Sequence, residues 1–160
     1  MWLVKAAIRE SAIDRCGVFA TEPIRAGQIL SVWRRLRIMP EEHYNDRCRE
    51  PGELRRSCVR LIGRHYAHEE GGSHPDDFMN HSPHPNVLYH LGVMIALTDV
   101  SDGEELTVDY NNYFSADSCE PFADRTTGTR VEGLSPRDAL MRACESMLAL
   151  LRANPAWDGT

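Results

Sequence analysis

Apolar runs in the first 110 residues are short, and turn-forming residues close nearly every one of them. A helix on a core needs apolar positions recurring at 3.6-residue spacing over about three turns, whereas a strand needs only four to eight residues. Residues 2 to 8, Cys16 to Thr21, Gln28 to Arg35, Val87 to Leu91, Gly92 to Thr98 and Glu105 to Tyr110 therefore read as strands. Pro23-Ile24-Arg25-Ala26-Gly27 and Ser101-Asp102-Gly103 read as turns, because proline presets φ and glycine accepts positive φ. Pro40 to Arg49 reads as a short helix with proline in its first turn. His68 to Pro85 is rich in Gly, Pro, His, Asp, Asn and Ser, so a long loop or a short helical knot is expected. The sum is a mainly β domain.

Past Tyr110 the texture changes. Residues 111 to 134 are polar and loop-like. Ser135-Pro136-Arg137-Asp138 is a helix start, with serine as N-cap, proline first and an acid third. Leu140, Cys144, Met147, Leu148 and Leu151 then recur at helical spacing. That apolar face is expected to pack on its own domain, with a dimer contact as the alternative, so a monomer or a homodimer is anticipated.

With 160 residues, 42% apolar and 26% charged, the chain can close one core. Its longest apolar stretches, such as Val93-Met94-Ile95-Ala96-Leu97, are far below the ~18 residues of a membrane span. Lys5, Arg9 and Glu10 interrupt the N-terminus too early for a signal peptide, and a cytoplasmic location is expected. The five cysteines (16, 48, 58, 119, 144) are odd in number, widely spaced and without a C-x-x-C pair. A disulfide framework or thiolate zinc site is disfavoured, and no metal is expected.

The net charge of -6 argues against direct nucleic-acid binding. Residues 99 to 124 hold eight acids and no Lys or Arg, while 34 to 64 hold nine arginines against five acids. Such charge runs read first as solvated faces, with attraction of a basic protein partner by the acidic stretch as the alternative. Lys5, in an expected strand, is the only lysine, and every other base is arginine.

Two segments carry more than pattern: Asn80-His81-Ser82-Pro83-His84-Pro85-Asn86, and Gly103-Glu104-Glu105-Leu106-Thr107-Val108-Asp109-Tyr110. Together they resemble the N-H-S-x-x-P-N and G-E-E-L-T-x-D-Y motifs of the SET-domain protein lysine methyltransferases. Cys16-Gly17-Val18-Phe19-Ala20-Thr21 with Ile24-Arg25-Ala26-Gly27 resembles that family's first hairpin. The resemblance covers about residues 3 to 113.

What it implies is a β-clip type SET fold with a pseudoknot-like crossing at the two motifs, plus a C-terminal helix. Residues 1–113 would be the catalytic domain, 114–134 a post-SET-like loop and 135–152 the helix. By similarity S-adenosylmethionine is the cofactor. Asn80 and His81 would contact it, the backbone of Arg15, Cys16 and Gly17 would approach its methionine part, and Phe114 or Phe122 could stack on its adenine. Tyr110 matches the catalytic tyrosine, and Tyr89 stands where some members put a second tunnel tyrosine. Arg15 replaces the first glycine of the family's G-x-G, so the cofactor loop should differ locally. Pro83 stands where many members have a zinc-binding cysteine, and the C-x-C that normally follows the domain is absent. Val108 occupies the position that often tunes how many methyls are added; with Tyr89 filling that space, monomethylation is expected.

The chemistry suits these roles. A lysine amine, with a reference pKa near ~10.4, must be neutral to attack. An apolar tunnel and a nearby sulfonium both disfavour its ammonium form. Methyl transfer is then an in-line displacement governed mainly by alignment. Two other readings compete. Six of the seven histidines lie between 65 and 90, and His74-Pro75-Asp76 has the H-x-D form of a two-histidine, one-carboxylate iron site, which would make the chain an oxygenase. The third reading is a binding module that keeps the fold and has lost transfer.

Overall fold

A computed structural model gives the fold and describes residues 1–34, 36–40, 42–43, 58–62, 65–69, 74–113 and 122–154. The first sheet joins β1 (Ala6–Glu10), β2 (Cys16–Ala20), β10 (Glu105–Val108) and β7 (Asn80–His81) in the order β1-β2-β10-β7. Its pairings are antiparallel except β10 with β7, which run parallel. The second sheet is antiparallel, with β3 (Ile29–Val32), β9 (Val93–Ala96) and β8 (Val87–His90) in the order β3-β9-β8. Leu91 and Gly92, at φ 51 and 82, form the tight turn between β8 and β9. Two isolated bridges, Trp2 to Ser31 and Ile24 to Val100, extend the pairing beyond the strands.

The core lies between these sheets. Val18, Leu30 and Leu106 are fully buried, with Ile24, Val87, Met94, Val100 and Val108 around them. Each such side chain contributes about 1.5–3 kcal/mol by leaving water. β10 has Leu106, Thr107 and Val108 buried in succession, as expected of an inner strand covered on both faces.

A third sheet, β4 (Leu36–Pro40), β6 (His65–Glu69) and β5 (Cys58–Ile62) in the order β4-β6-β5, departs from the sequence expectation. Pro40 is the last residue of β4, paired with His65, while Glu42 and His43, described just after it, are helical, so the expected helix follows Pro40 instead of including it. Proline is tolerated at a strand end because the lost N–H leaves the rest of the ladder intact. Most of the expected Pro40 to Arg49 helix lies outside the described residues. The polar 111 to 134 stretch contains a small hairpin, β11 (Phe122–Ala123) with β12 (Arg130–Val131). Lys5 precedes β1 rather than lying in it, and its exposed ammonium pairs with Glu22 at 3.2 Å.

Helix α1 (Pro136–Ala153) starts where the sequence places it. Ser135 Oγ accepts the Asp138 N–H at 3.1 Å. The helix packs on its own domain, against β8 and the 3-10 turn Tyr110–Asn112. The inward face is rotated from the expected one: Ala139, Ala143 and Leu150 are buried, Leu140 and Met147 are half-buried, and Cys144, Leu148 and Leu151 are exposed. Small alanines let the helix axis approach the turn, and an ion pair from Arg142 to Asp109 fixes its rotation. No helix among the described residues is long and apolar enough to cross a membrane.

Candidate functional site

The two motif segments meet where β7 and β10 pair, with Thr107 opposite Asn80 and Val108 opposite His81. Each strand then leaves the sheet carrying a functional group. Nearby, β2 pairs with β10 from the other side and brings the loop before it, residues 11 to 15, to the same place.

At that junction Asn80 is buried among oxygen atoms. Its Nδ2 lies 2.7 Å from Glu105 Oε1, 3.0 Å from Ser11 Oγ, 3.1 Å from the Cys16 carbonyl and 3.3 Å from the Asp14 carbonyl. An amide nitrogen has two hydrogens, so it cannot satisfy four acceptors. Ser11 Oγ also lies 2.9 and 2.8 Å from the two Glu105 oxygens, while its own oxygen takes the Ile13 N–H at 2.9 Å. The result is a cradle rich in acceptors and carrying one carboxylate, chemistry suited to a ligand ammonium. Gly17 forms its wall. A Cβ there would fall 2.0 Å from Glu105 Oε1 and 3.0 Å from Asn80 Nδ2. Arg15 adopts φ 43, the left-handed conformation that glycine enters without strain.

Tyr110 opens the 3-10 turn after β10. Its hydroxyl donates to the Met79 carbonyl at 2.6 Å, one residue from Asn80. Its backbone N–H donates to Nδ1 of His81 at 3.1 Å. That nitrogen is thus an acceptor, so its 3.7 Å approach to Asp109 Oδ1 is not an ion pair in this tautomer. Burial, reinforced by the charges of Asp14 and Glu105, pushes the Tyr110 phenol up to about 12. It is a neutral hydroxyl at physiological pH.

Aromatic rings continue from Tyr110 in two directions. Phe122 meets Tyr110 edge-on at 6.2 Å and His81 at 6.4 Å, bringing the β11 hairpin over the motif strands. Inward, Tyr113 lies 6.2 Å from Tyr110 and 5.4 Å from Tyr89, and Tyr89 lies 5.1 Å from Trp33. Burial, then the nearby Tyr89, Tyr110, Asp109 and Asp76, keeps the Tyr113 phenol well above its ordinary range. Arg125 reaches Asp14 at 2.8 Å, at ion-pair distance but without hydrogen-bond geometry; both groups are substantially exposed, so this tie is weak.

A family model described as the SET domain matches residues 15–111. The chain belongs to the SET-domain family. Its fold is similar to that of solved SET proteins. With the Neurospora SET domain protein DIM-5, a histone lysine methyltransferase, the identity is 23% and the TM-score 0.53, over 71% of this chain and 55% of that one. With the Chaetomium thermophilum Polycomb Repressive Complex 2 in an autoinhibited conformation bound to S-adenosylmethionine, the identity is 14% and the TM-score 0.57. That match covers 91% of this chain and 22% of the other, so this SET chain spans only part of the proteins it resembles. Comparison with curated proteins finds no match.

Among the SET residues expected from sequence, Arg15, Cys16, Gly17, Asn80, His81, Tyr110 and Phe122 converge on one junction. Tyr89 joins them through Tyr113, whose ring meets both Tyr89 and Tyr110. Phe114 lies outside the described residues. Sequence reasoning misses Ser11 and Glu105 as site residues, and of Tyr113 it expects only that the segment it begins, Tyr113 to Phe122, closes the tunnel. Glu105 has a signal, its place inside the second motif; Tyr113 has one in its three-residue spacing from Tyr110 on a turn. Ser11 has none, because its role depends on a contact 94 residues away.

The H-x-D reading fares differently. Both carboxylate oxygens of Asp76 accept indole hydrogens, from Trp2 at 3.1 Å and Trp33 at 2.6 Å. Asp76 is therefore committed to fastening the Pro75–Phe78 turn to the N-terminal strands. Among the described residues no three His, Cys, Asp or Glu side chains gather as a metal site.

Proposed function

We propose that this SET protein is an S-adenosylmethionine-dependent protein-lysine N-methyltransferase. The observation that carries the reading is adjacency: the acceptor-rich cradle at Asn80 and the neutral Tyr110 hydroxyl, bonded to Met79, are one residue apart on the chain entering β7. A cradle for an ammonium beside a neutral, oriented hydroxyl suits a charged methyl donor and a reaction ruled by alignment.

When bound, S-adenosylmethionine supplies an electrophilic methyl group on a sulfonium. Glu105, Ser11 and the Asp14 and Cys16 carbonyls would hold its ammonium, with Asn80 exchanging partners to make room. His81 and Phe122 would flank its adenine. Tyr89 and Tyr113 would wall the lysine stem, whose burial favours the neutral amine. Tyr110, with its phenol held near 12, keeps its proton and so serves as an orienting group, not a base. The proton of the lysine leaves through water. A basic protein segment is the proposed substrate, drawn by the acids between 99 and 124. With Val108 buried on β10 and Tyr89 beside the tyrosine pair, one methyl is the proposed product.

Calorimetric titration with S-adenosylmethionine and S-adenosylhomocysteine in the presence of chelator tests the reading. Micromolar binding that is lost in Asn80→Ala, followed by labelled-methyl transfer to lysine in a basic protein, is expected. Failure of the metal-free protein to bind either compound overturns it, and a mainly trimethylated product overturns the one-methyl assignment.

A further inference from the structure

We propose that Arg142 of α1 is a positioning residue for Tyr110, acting through the Asp109 carboxylate. Asp109 is buried and caps the turn that carries Tyr110: its Oδ1 accepts the Asn111 N–H and Nδ2 hydrogens, both at 2.9 Å. Its Oδ2 accepts from Arg142 Nη1 at 2.7 Å. Among the described residues Arg142 is the only guanidinium at ion-pair distance from this buried charge. The same turn is held again by the segment leading into the helix. Asn111 Oδ1 accepts the Glu132 and Gly133 N–H groups at 3.2 and 3.1 Å, and the Asn111 carbonyl accepts the Leu134 N–H at 3.0 Å.

These donors lie beyond residue 111, where the match to the SET domain ends. The helix thus does more than cover apolar surface. It presents one charge to the carboxylate next to Tyr110, which itself donates hydrogen bonds to His81 and Met79. A buried carboxylate that loses a guanidinium partner turns toward water or toward other donors. Either movement releases the cap on the turn and shifts the Tyr110 hydroxyl, to which an alignment-controlled transfer is sensitive. Arg142 is half exposed, so Arg142→Met leaves the buried Ala139, Ala143 and Leu150 face of the helix intact.

The kinetic arm rests on the methyltransfer reading; the exchange arm does not. In Arg142→Met, kcat should fall by about tenfold to a hundredfold. KM for S-adenosylmethionine should stay within about twofold, since the cradle is untouched. Arg142→Lys should recover most of the loss, because the contact uses one nitrogen. Independently, hydrogen exchange should quicken in Arg142→Met at the amides of Tyr110 to Tyr113 while β3 and β9 keep their protection. Unchanged exchange across Tyr110 to Tyr113 overturns the proposal, as does an active parent whose kcat survives Arg142→Met. Exchange that quickens throughout the protein, with no rescue by lysine, assigns Arg142 a general structural role and also overturns it. A parent protein that neither binds the methyl donor nor transfers methyl sinks the activity alone, and the exchange result still decides Arg142.

Discussion

The Asn80 amide and the Glu105 carboxylate meet at 2.7 Å, and the backbone facing them at Gly17 has no room for a side chain. Two strands in parallel register and a third in antiparallel register have to converge for this contact to exist. Gly17→Ala is therefore expected to displace Glu105, which Ser11 and Asn80 hold from two sides. Weakening of S-adenosylmethionine binding by tenfold or more, about 1.4 kcal/mol, is the expected calorimetric result. Unchanged affinity would show that Glu105 swings away freely.

Tyr110→Phe separates binding from transfer. The phenol is neutral and bonded to Met79, so its loss should leave methyl-donor affinity within about twofold while transfer drops by about a hundredfold. Equal loss of both would place the hydroxyl in donor binding instead.

The same phenol predicts an alkaline limit. A group whose folded pKa is raised contributes stability below its unfolded value and loses it as pH climbs through the folded one. For Tyr110 that window runs from 10.0 to about 12, and Tyr113 is shifted in the same direction. Stability should fall across this range, with a shallower fall in Tyr110→Phe. Phenolate absorbance followed beside circular dichroism checks this; early titration of both tyrosines in folded protein would refute it.

Arg15 holds a left-handed backbone at φ 43. Arg15→Gly should raise thermal stability by about 0.5–1 kcal/mol, the strain relieved less the glycine entropy cost. A loss of stability would mean that the arginine side chain contributes more than its backbone costs.

The Asp124 carboxylate organises the β11–β12 turn through Thr126 and Thr127, and that hairpin carries Phe122 onto His81 and Tyr110. Asp124→Ala should cost methyl-donor affinity in step with Phe122→Ala. Loss in only one of the two would uncouple the hairpin from the site.

By itself the sequence determined the local geometry: strands Cys16–Ala20, Val87–His90 and Val93–Ala96, and the Ser135 cap, follow from short-range pattern and turn chemistry. The motifs around Asn80 and Tyr110 also marked the site. Which face of α1 packs inward was not determined there, because Cys144, Leu148 and Leu151 are as apolar as a buried face would be. Close approach of Ala139 and Ala143, together with the Arg142 to Asp109 ion pair, decided it. Asp76 likewise looked like a ligand until two indoles from positions 2 and 33 took both its oxygens. Ser11 reaches Glu105, and Arg142 reaches Asp109, only once the sheets and helix are packed. Hydrogen bonds between distant residues depend on strand register and helix rotation, and burial of the whole core sets those.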